Sequence, residues 1–134
     1  MSTSMHGHGP LGPAELVEVA DRVFAYCQPD GSWWINNTGF VVGRSAVLSV
    51  DACATERRTR AYLDRIATVT SAPVRQVVNT HHHGDHTFGN SFFTGATIIG
   101  HERCRSGFSQ PGCRRTSASG SRSTGAPSSS PLRQ

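Results

Sequence analysis

Twelve consecutive residues hold most of the chain's chemical potential: Asn79-Thr80-His81-His82-His83-Gly84-Asp85-His86-Thr87-Phe88-Gly89-Asn90. Four side chains of metal-ligating type, His81, His83, Asp85 and His86, fall within six residues. In an extended segment alternate residues point the same way, so His81 and His83 can both reach one ion. Gly84 allows a sharp turn after them. Asp85 and His86 then issue from that turn, or from the first residues of a following helix, toward a second position nearby. Imidazole nitrogen with carboxylate oxygen suits Zn²⁺, and Fe or Mn less exclusively. His82 points away from its neighbours in such a segment and receives no metal role. An affinity-tag remnant is the bland alternative, but tags are terminal and longer, whereas this run follows an apolar strand in mid-chain. His6 and His8 sit in a Gly-rich terminus and are read as solvated.

The surrounding pattern predicts what positions these donors. Leu16–Ala20 and Val23–Cys27 read as short strands around an Asp21-Arg22 turn. Pro29-Asp30-Gly31-Ser32 is a turn signal. Ile35–Val42 and Ala46–Val50 give two more strands. The period then changes: Ala54–Val69 places Ala61, Tyr62, Ile66 and Val69 near one helical stripe, opened by Thr55 or Ala54 and followed by Pro73. Val74–Asn79 is a fifth strand running into the histidines, and Ala96–Gly100 a sixth. A strand meander followed by β-helix-β makes a mixed α/β layer. Its strand ends are where such sheets usually place sites.

Composition bounds the rest. The chain has 134 residues with 13 basic side chains, all arginine, and nine acids. Residues 1–105 balance nine arginines against all nine acids, so the net charge of +4 belongs to residues 106–134. That stretch is rich in Ser, Gly, Arg and Pro, and cannot bury enough apolar surface to offset its ordering entropy. The expected organisation is a disordered N-terminus at 1–13, a folded segment at 14–105 and a disordered tail at 106–134. Four scattered tail arginines without interleaved aromatics are a weak electrostatic footprint, so nucleic acid is not an expected partner. Apolar runs are strand-sized, which excludes a transmembrane helix. Met1–Pro13 shows no secretory h-region, and Cys27, Cys53, Cys104 and Cys113 form no CxxC. Reduced thiols and a cytoplasmic location are the expectation.

The pattern His-x-His-x-Asp-His resembles the signature of the metallo-β-lactamase-fold superfamily of metallohydrolases. The strand pair, the run Asn37-Thr38-Gly39-Phe40-Val41-Val42-Gly43, the strand ending in Asp51, the helix, and the strand into the motif are similar to the first half of that fold over residues 16–105. The resemblance implies the N-terminal half of an αββα sandwich: a mixed sheet with flanking helices. It implies up to two Zn²⁺ ions, the first on His81 and His83 and the second on Asp85 and His86. A hydroxide facing the ions would attack an ester, thioester, amide or phosphoester, with Asp85 orienting it and taking its proton. Asp51 would buttress the metal loop through hydrogen bonds. The substrate, a small molecule, does not follow from the motif.

The resemblance has an end. The superfamily draws further ligands from later loops, yet this chain has no Asp after Asp85 and no His after His101. His101 follows a strand and is assigned no ligand role. The change of composition near Cys104–Gly107 predicts a coding sequence that is cut or shifts frame there. Reading the other two frames for a matching second half tests that expectation. A half-sandwich leaves one sheet face without its partner, and self-association through Phe40, Val42, Val47 and Val77, or their strand neighbours, is expected. Two ligands per ion fall short of the three typical of catalytic zinc, so a non-catalytic metal-binding fragment is the alternative. Trp33 and Trp34 are placed either to pack on the domain or to line a mouth over the ions, with packing favoured.

Overall fold

The computed structural model describes residues 12–29 and 34–108. Six strands form one sheet in sequence order: β1 (Glu15–Ala20), β2 (Val23–Cys27), β3 (Thr38–Val42), β4 (Val47–Val50), β5 (Val74–Asn79) and β6 (Thr97–Gly100). The first four are antiparallel neighbours, whereas β4–β5 and β5–β6 are parallel. Antiparallel neighbours need only short turns, but each parallel pair needs a crossover. Helix α1 (Glu56–Val69) supplies the first crossover. The motif, with α2 (Gly84–Thr87) and a 3₁₀ turn (Phe88–Phe92), supplies the second. A last helix, α3 (Glu102–Phe108), follows β6. No described helix is long and apolar enough to cross a membrane.

The strands follow the sequence pattern closely, with one exception. The third was expected from Ile35 but begins at Thr38. Asn36 instead donates its amide to Ala52 O, and the Asn37 side chain accepts Gln28 N–H. These bonds tie residues 36 and 37 to loops rather than to the ladder.

Thr55 caps α1, its hydroxyl accepting Arg58 N–H at 3.3 Å. The buried face of α1 is Thr59, Tyr62 and Ile66. The expected stripe is therefore corrected at two positions. Ala61 lies about 100° around the helix from Tyr62 and is exposed. Val69 lies on the stripe but is the last helical residue, and it is exposed.

The core fills the space between sheet and helix. Phe24 stacks on Phe40, and Tyr62 meets the rings of Tyr26, Phe40 and Phe93. The Tyr62 hydroxyl donates to Gly39 O at 2.5 Å and lies 2.9 Å from Ser49 Oγ, so its buried polar tip is satisfied. Burial pushes the Tyr62 phenol well above its usual pKa and the Cys53 thiol up to about 11, which makes that cysteine inert packing. Cys27, Cys53 and Cys104 are unpaired among the described residues.

Gly89 joins the 3₁₀ turn to α1. A Cβ there would lie 2.2 Å from Thr59 Oγ1 and 2.8 Å from Cys53 O. Gly89→Ala will force these segments apart at a cost of about 1–3 kcal/mol. Calorimetry should show a melting midpoint lower by roughly 4–8 °C per kcal/mol in a domain of this size. An unchanged midpoint would contradict the packing.

The uncovered sheet face is the alternate one. Phe40, Val42, Val47 and Val77 are buried beneath α1. Their strand neighbours face outward, and cross-strand register aligns Val17, Ala25, Gly39, Val50, Val78 and Ile99 in one row across all six strands. A second row contains Val41 and Leu48. Val17, Val41 and Ile99 are exposed. Period-2 alternation fixes this assignment once one face is known to be buried.

Helix α3 continues three residues beyond the expected boundary at 105. Residues 1–11, 30–33 and 109–134, and with them most of the two expected disordered ends, Trp33, His6, His8 and Cys113, lie outside the described residues.

Candidate functional site

The site forms at the ends of β4 and β5. Asp51 directly follows β4 and takes a positive φ of 63°, a conformation Asp tolerates better than most residues. That turn aims a nearly fully buried carboxylate across to the loop after β5. Asp51 Oδ1 accepts Thr80 N–H at 2.8 Å. Asp51 Oδ2 accepts the Thr80 hydroxyl at 2.8 Å and lies 2.8 Å from His86 Nδ1.

These bonds determine which imidazole nitrogen is left as an acceptor. A carboxylate oxygen only accepts, so His86 Nδ1 carries a proton, and in the neutral ring Nε2 is the nitrogen that keeps its lone pair. The Thr80 hydroxyl has given its proton to Asp51, so it accepts from His81 Nδ1, 2.9 Å away. His81 therefore also presents Nε2 outward. Desolvation, then the neighbouring His86 and His83, lowers the His81 pKa, which favours the neutral, ligating form. One carboxylate thus sets two imidazoles, the first directly and the second through a hydroxyl.

The four predicted donors are gathered. The His81 ring lies 4.1 Å from the His86 ring and 4.6 Å from the His83 ring, centroid to centroid. His86 Nε2 stands 3.3 Å from Asp85 Oδ2. With the proton on Nδ1, that approach sets two lone pairs facing each other. In the neutral ring that approach is unfavourable, and it is relieved by a cation between the two atoms or by a second ring proton. Two ligands held about 2.0–2.1 Å from a tetrahedral zinc are themselves about 3.3 Å apart. Kind and spacing of donors therefore fit a divalent ion at Asp85 and His86. The fit is that of a partial site: among the described residues, no group of three or more His, Cys, Asp or Glu could hold one ion.

The expected extended run through the histidines is corrected. Residues 80–82 are bent, and β5 ends at Asn79. Orientation comes from the Asp51 network rather than from strand alternation. His82 is exposed and lies 5.1 Å from the His83 ring. A Cβ on Gly107 of α3 would come within 2.7 Å of the His82 ring, so His82 packs on that helix.

Asn79 and Asn90 were not singled out from sequence. Asn79 is buried and donates to His86 O at 3.2 Å, while the two side-chain amides bond each other at 3.2 and 2.6 Å. Ala52 N–H also donates to His86 O, and Gly89 N–H to Cys53 O. This web locks the motif loop to the segment after β4. The only sequence hint was a polar residue closing an apolar strand. His101 is exposed and bonds Arg103 N–H within its own turn.

Trp34 lines a cavity of about 360 Å³ together with His83, Gly84 and Asp85. Its ring stacks on Phe88 at 5.7 Å. Phe88 in turn lies against Gly84, where a Cβ would come within 2.3 Å of the ring. Of the two roles left open for this tryptophan, Trp34 performs both: it packs on Phe88 and it walls the cavity.

Comparison with known proteins bears on the family and the fold. A family model described as the metallo-beta-lactamase superfamily matches residues 31–111. The fold is similar to that of a metallo beta lactamase from Hirschia baltica, with a TM-score of 0.60 and 18% identity over 71% of this chain and 46% of that one. It is similar to one from Pontibacter korlensis, with a TM-score of 0.63 and 18% identity over 72% and 47%. For one from Erythrobacter litoralis the values are 0.57 and 23% over 72% and 45%. The chain thus spans under half the length of these structures. No curated protein matches it.

Proposed function

This chain belongs to the metallo-beta-lactamase superfamily, and from that premise we propose that it carries one half of a metal-dependent hydrolase centre. The fold is hydrolase-like, and His81 and His83 would hold one ion, Asp85 and His86 a second. Zinc is the ion the donor set favours, with Fe or Mn also accommodated. The observation that carries this reading is the facing pair, His86 Nε2 and Asp85 Oδ2 at 3.3 Å, with the His86 proton committed to Asp51. When bound, the ions would lower the pKa of water and polarise the scissile carbonyl or phosphoryl oxygen of an ester, thioester, amide or phosphoester.

The chain's own residues supply orientation and proton transfer. Asp85, half-buried at the mouth of the cavity, would orient the attacking water and accept its proton. Asp51 and Thr80 hold His86 and His81 in their ligating tautomers. Trp34, stacked on Phe88, walls one side of that cavity.

A second reading, a metal-binding fragment without turnover, is favoured by the absence of any three-ligand group among the described residues. Assaying the zinc-loaded chain against nitrophenyl esters, a thioester and a phosphodiester separates the two. Turnover abolished by chelation supports the hydrolase. Zinc uptake without turnover supports the fragment.

Self-association belongs to the same proposal. The outward row of apolar residues has no cover within the described chain, and a second copy presents the same surface to it.

A further inference from the structure

A second, larger cavity adjoins the candidate centre. It measures about 810 Å³, within the range of small-molecule sites. Trp34 borders both cavities, and its stacking partner Phe88 lines the larger one. The body of this groove is apolar, with Tyr26, Ile35 and Ala61 among its walls.

Its charge is one-sided. Arg57 and Arg58 line it, and among the described residues no acidic side chain does. Arg58 is fixed: its guanidinium donates to Gln28 Oε1 at 2.6 Å and Asn36 O at 2.7 Å, and lies 5.7 Å from the Tyr26 ring centroid. Arg57 is exposed, one residue away. Thr55, the N-cap of the 14-residue helix α1, also lines the groove, so the positive end of the helix dipole adds to the two arginines. Glu56 lies in the same turn but is paired with Arg60 at 2.8 Å.

The Trp34 backbone is a further observation. Its φ is +64°, a region a bulky residue rarely adopts and that is found where surrounding structure enforces it, often at ligand sites. That conformation places an exposed indole between the two cavities.

We propose that the groove binds an apolar, negatively ended arm of the substrate, such as an aliphatic or aryl chain closing in a carboxylate. The chain lies along Tyr26, Ile35 and Ala61, the anion meets Arg57 and the start of α1, and Trp34 and Phe88 bridge toward the group held at Asp85. The inference rests on the reading of the motif as a hydrolytic centre, but its test does not, because binding is measured without turnover.

The test is calorimetric titration of the full chain with octanoate and with octanamide, with and without zinc. Octanoate should bind more tightly than octanamide. Arg57→Glu, a surface change, should weaken octanoate at least tenfold and leave octanamide unaltered. Ala61→Trp, checked for native circular dichroism, should abolish both by filling the groove. Val41→Asp on the opposite sheet face should change neither. Octanoate binding insensitive to Arg57→Glu overturns the proposal, as does lack of binding of either probe at millimolar concentration. Loss through Val41→Asp instead would assign binding to the open sheet face and equally overturn it. Groove binding that behaves as expected in a chain that takes up no metal would leave the groove standing and remove the hydrolase reading.

Discussion

Asp51→Ala will lower zinc affinity about 10–100-fold, the usual effect of removing a residue that orients a metal-ligating histidine. The size of the loss follows from the three bonds that Asp51 accepts, from Thr80 N–H, the Thr80 hydroxyl and His86 Nδ1. Without the carboxylate, His86 is free to move its proton to Nε2, the atom facing Asp85. Thr80 no longer has a defined acceptor and cannot hold His81 in register. Asp51→Asn is the sharper probe. Whichever way its amide is turned, an NH₂ group faces at least one of the three donors. Zinc affinity should therefore fall in Asn as in Ala, although the shape is kept. Titration with a competing chelator reads both variants. Wild-type affinity in Asp51→Asn would show that the carboxylate is a strand-end turn residue and nothing more.

The second large effect is on assembly. The outward face carries Val41 beside Leu48 at its centre, with Val17 and Ile99 at opposite strands of the same sheet. Uncovered apolar surface of this continuity drives association, at roughly 25 cal/mol for each Å² removed from water. A charge at the middle of such an interface would be buried unpaired, which costs several kcal/mol. Val41→Asp should therefore convert an associated species to a single chain, because in a lone chain position 41 is exposed and a carboxylate there meets water. Light scattering across a concentration series makes the measurement. A wild-type chain that stays monomeric at high concentration would contradict self-association through this face.

Much of the site was legible because its chemistry is local. His81, His83, Asp85 and His86 lie within one turn of chain, and the strand before them and the helix before that strand follow from period and punctuation alone. Spacing alone shows Asp51 only as a carboxylate closing a strand, and its buttressing role is legible through the family resemblance. Its partners sit 29 and 35 residues away, a separation no spacing rule reports. The same holds for the Asn79–Asn90 amide pair and for Trp34 on Phe88. The bend at residues 80–82 defeated the alternation argument locally, since hydrogen bonds to Asp51 set the ring directions there. Alternation did divide each strand into two faces, but it needed α1 in place to say which face is buried. Ala61 reads as a stripe residue in sequence; in the fold it faces the groove instead.

Metal content per chain tests the central claim most directly. Chain purified and then equilibrated with zinc should retain up to two ions by elemental mass spectrometry. The His81→Ala/His83→Ala double variant should lose the ion assigned to that pair, and its circular dichroism should stay native, because neither ring belongs to the core beneath α1. A soluble, folded wild-type chain that retains no zinc, or a double variant that retains as much as wild type, would contradict the assignment of these residues as a metal centre.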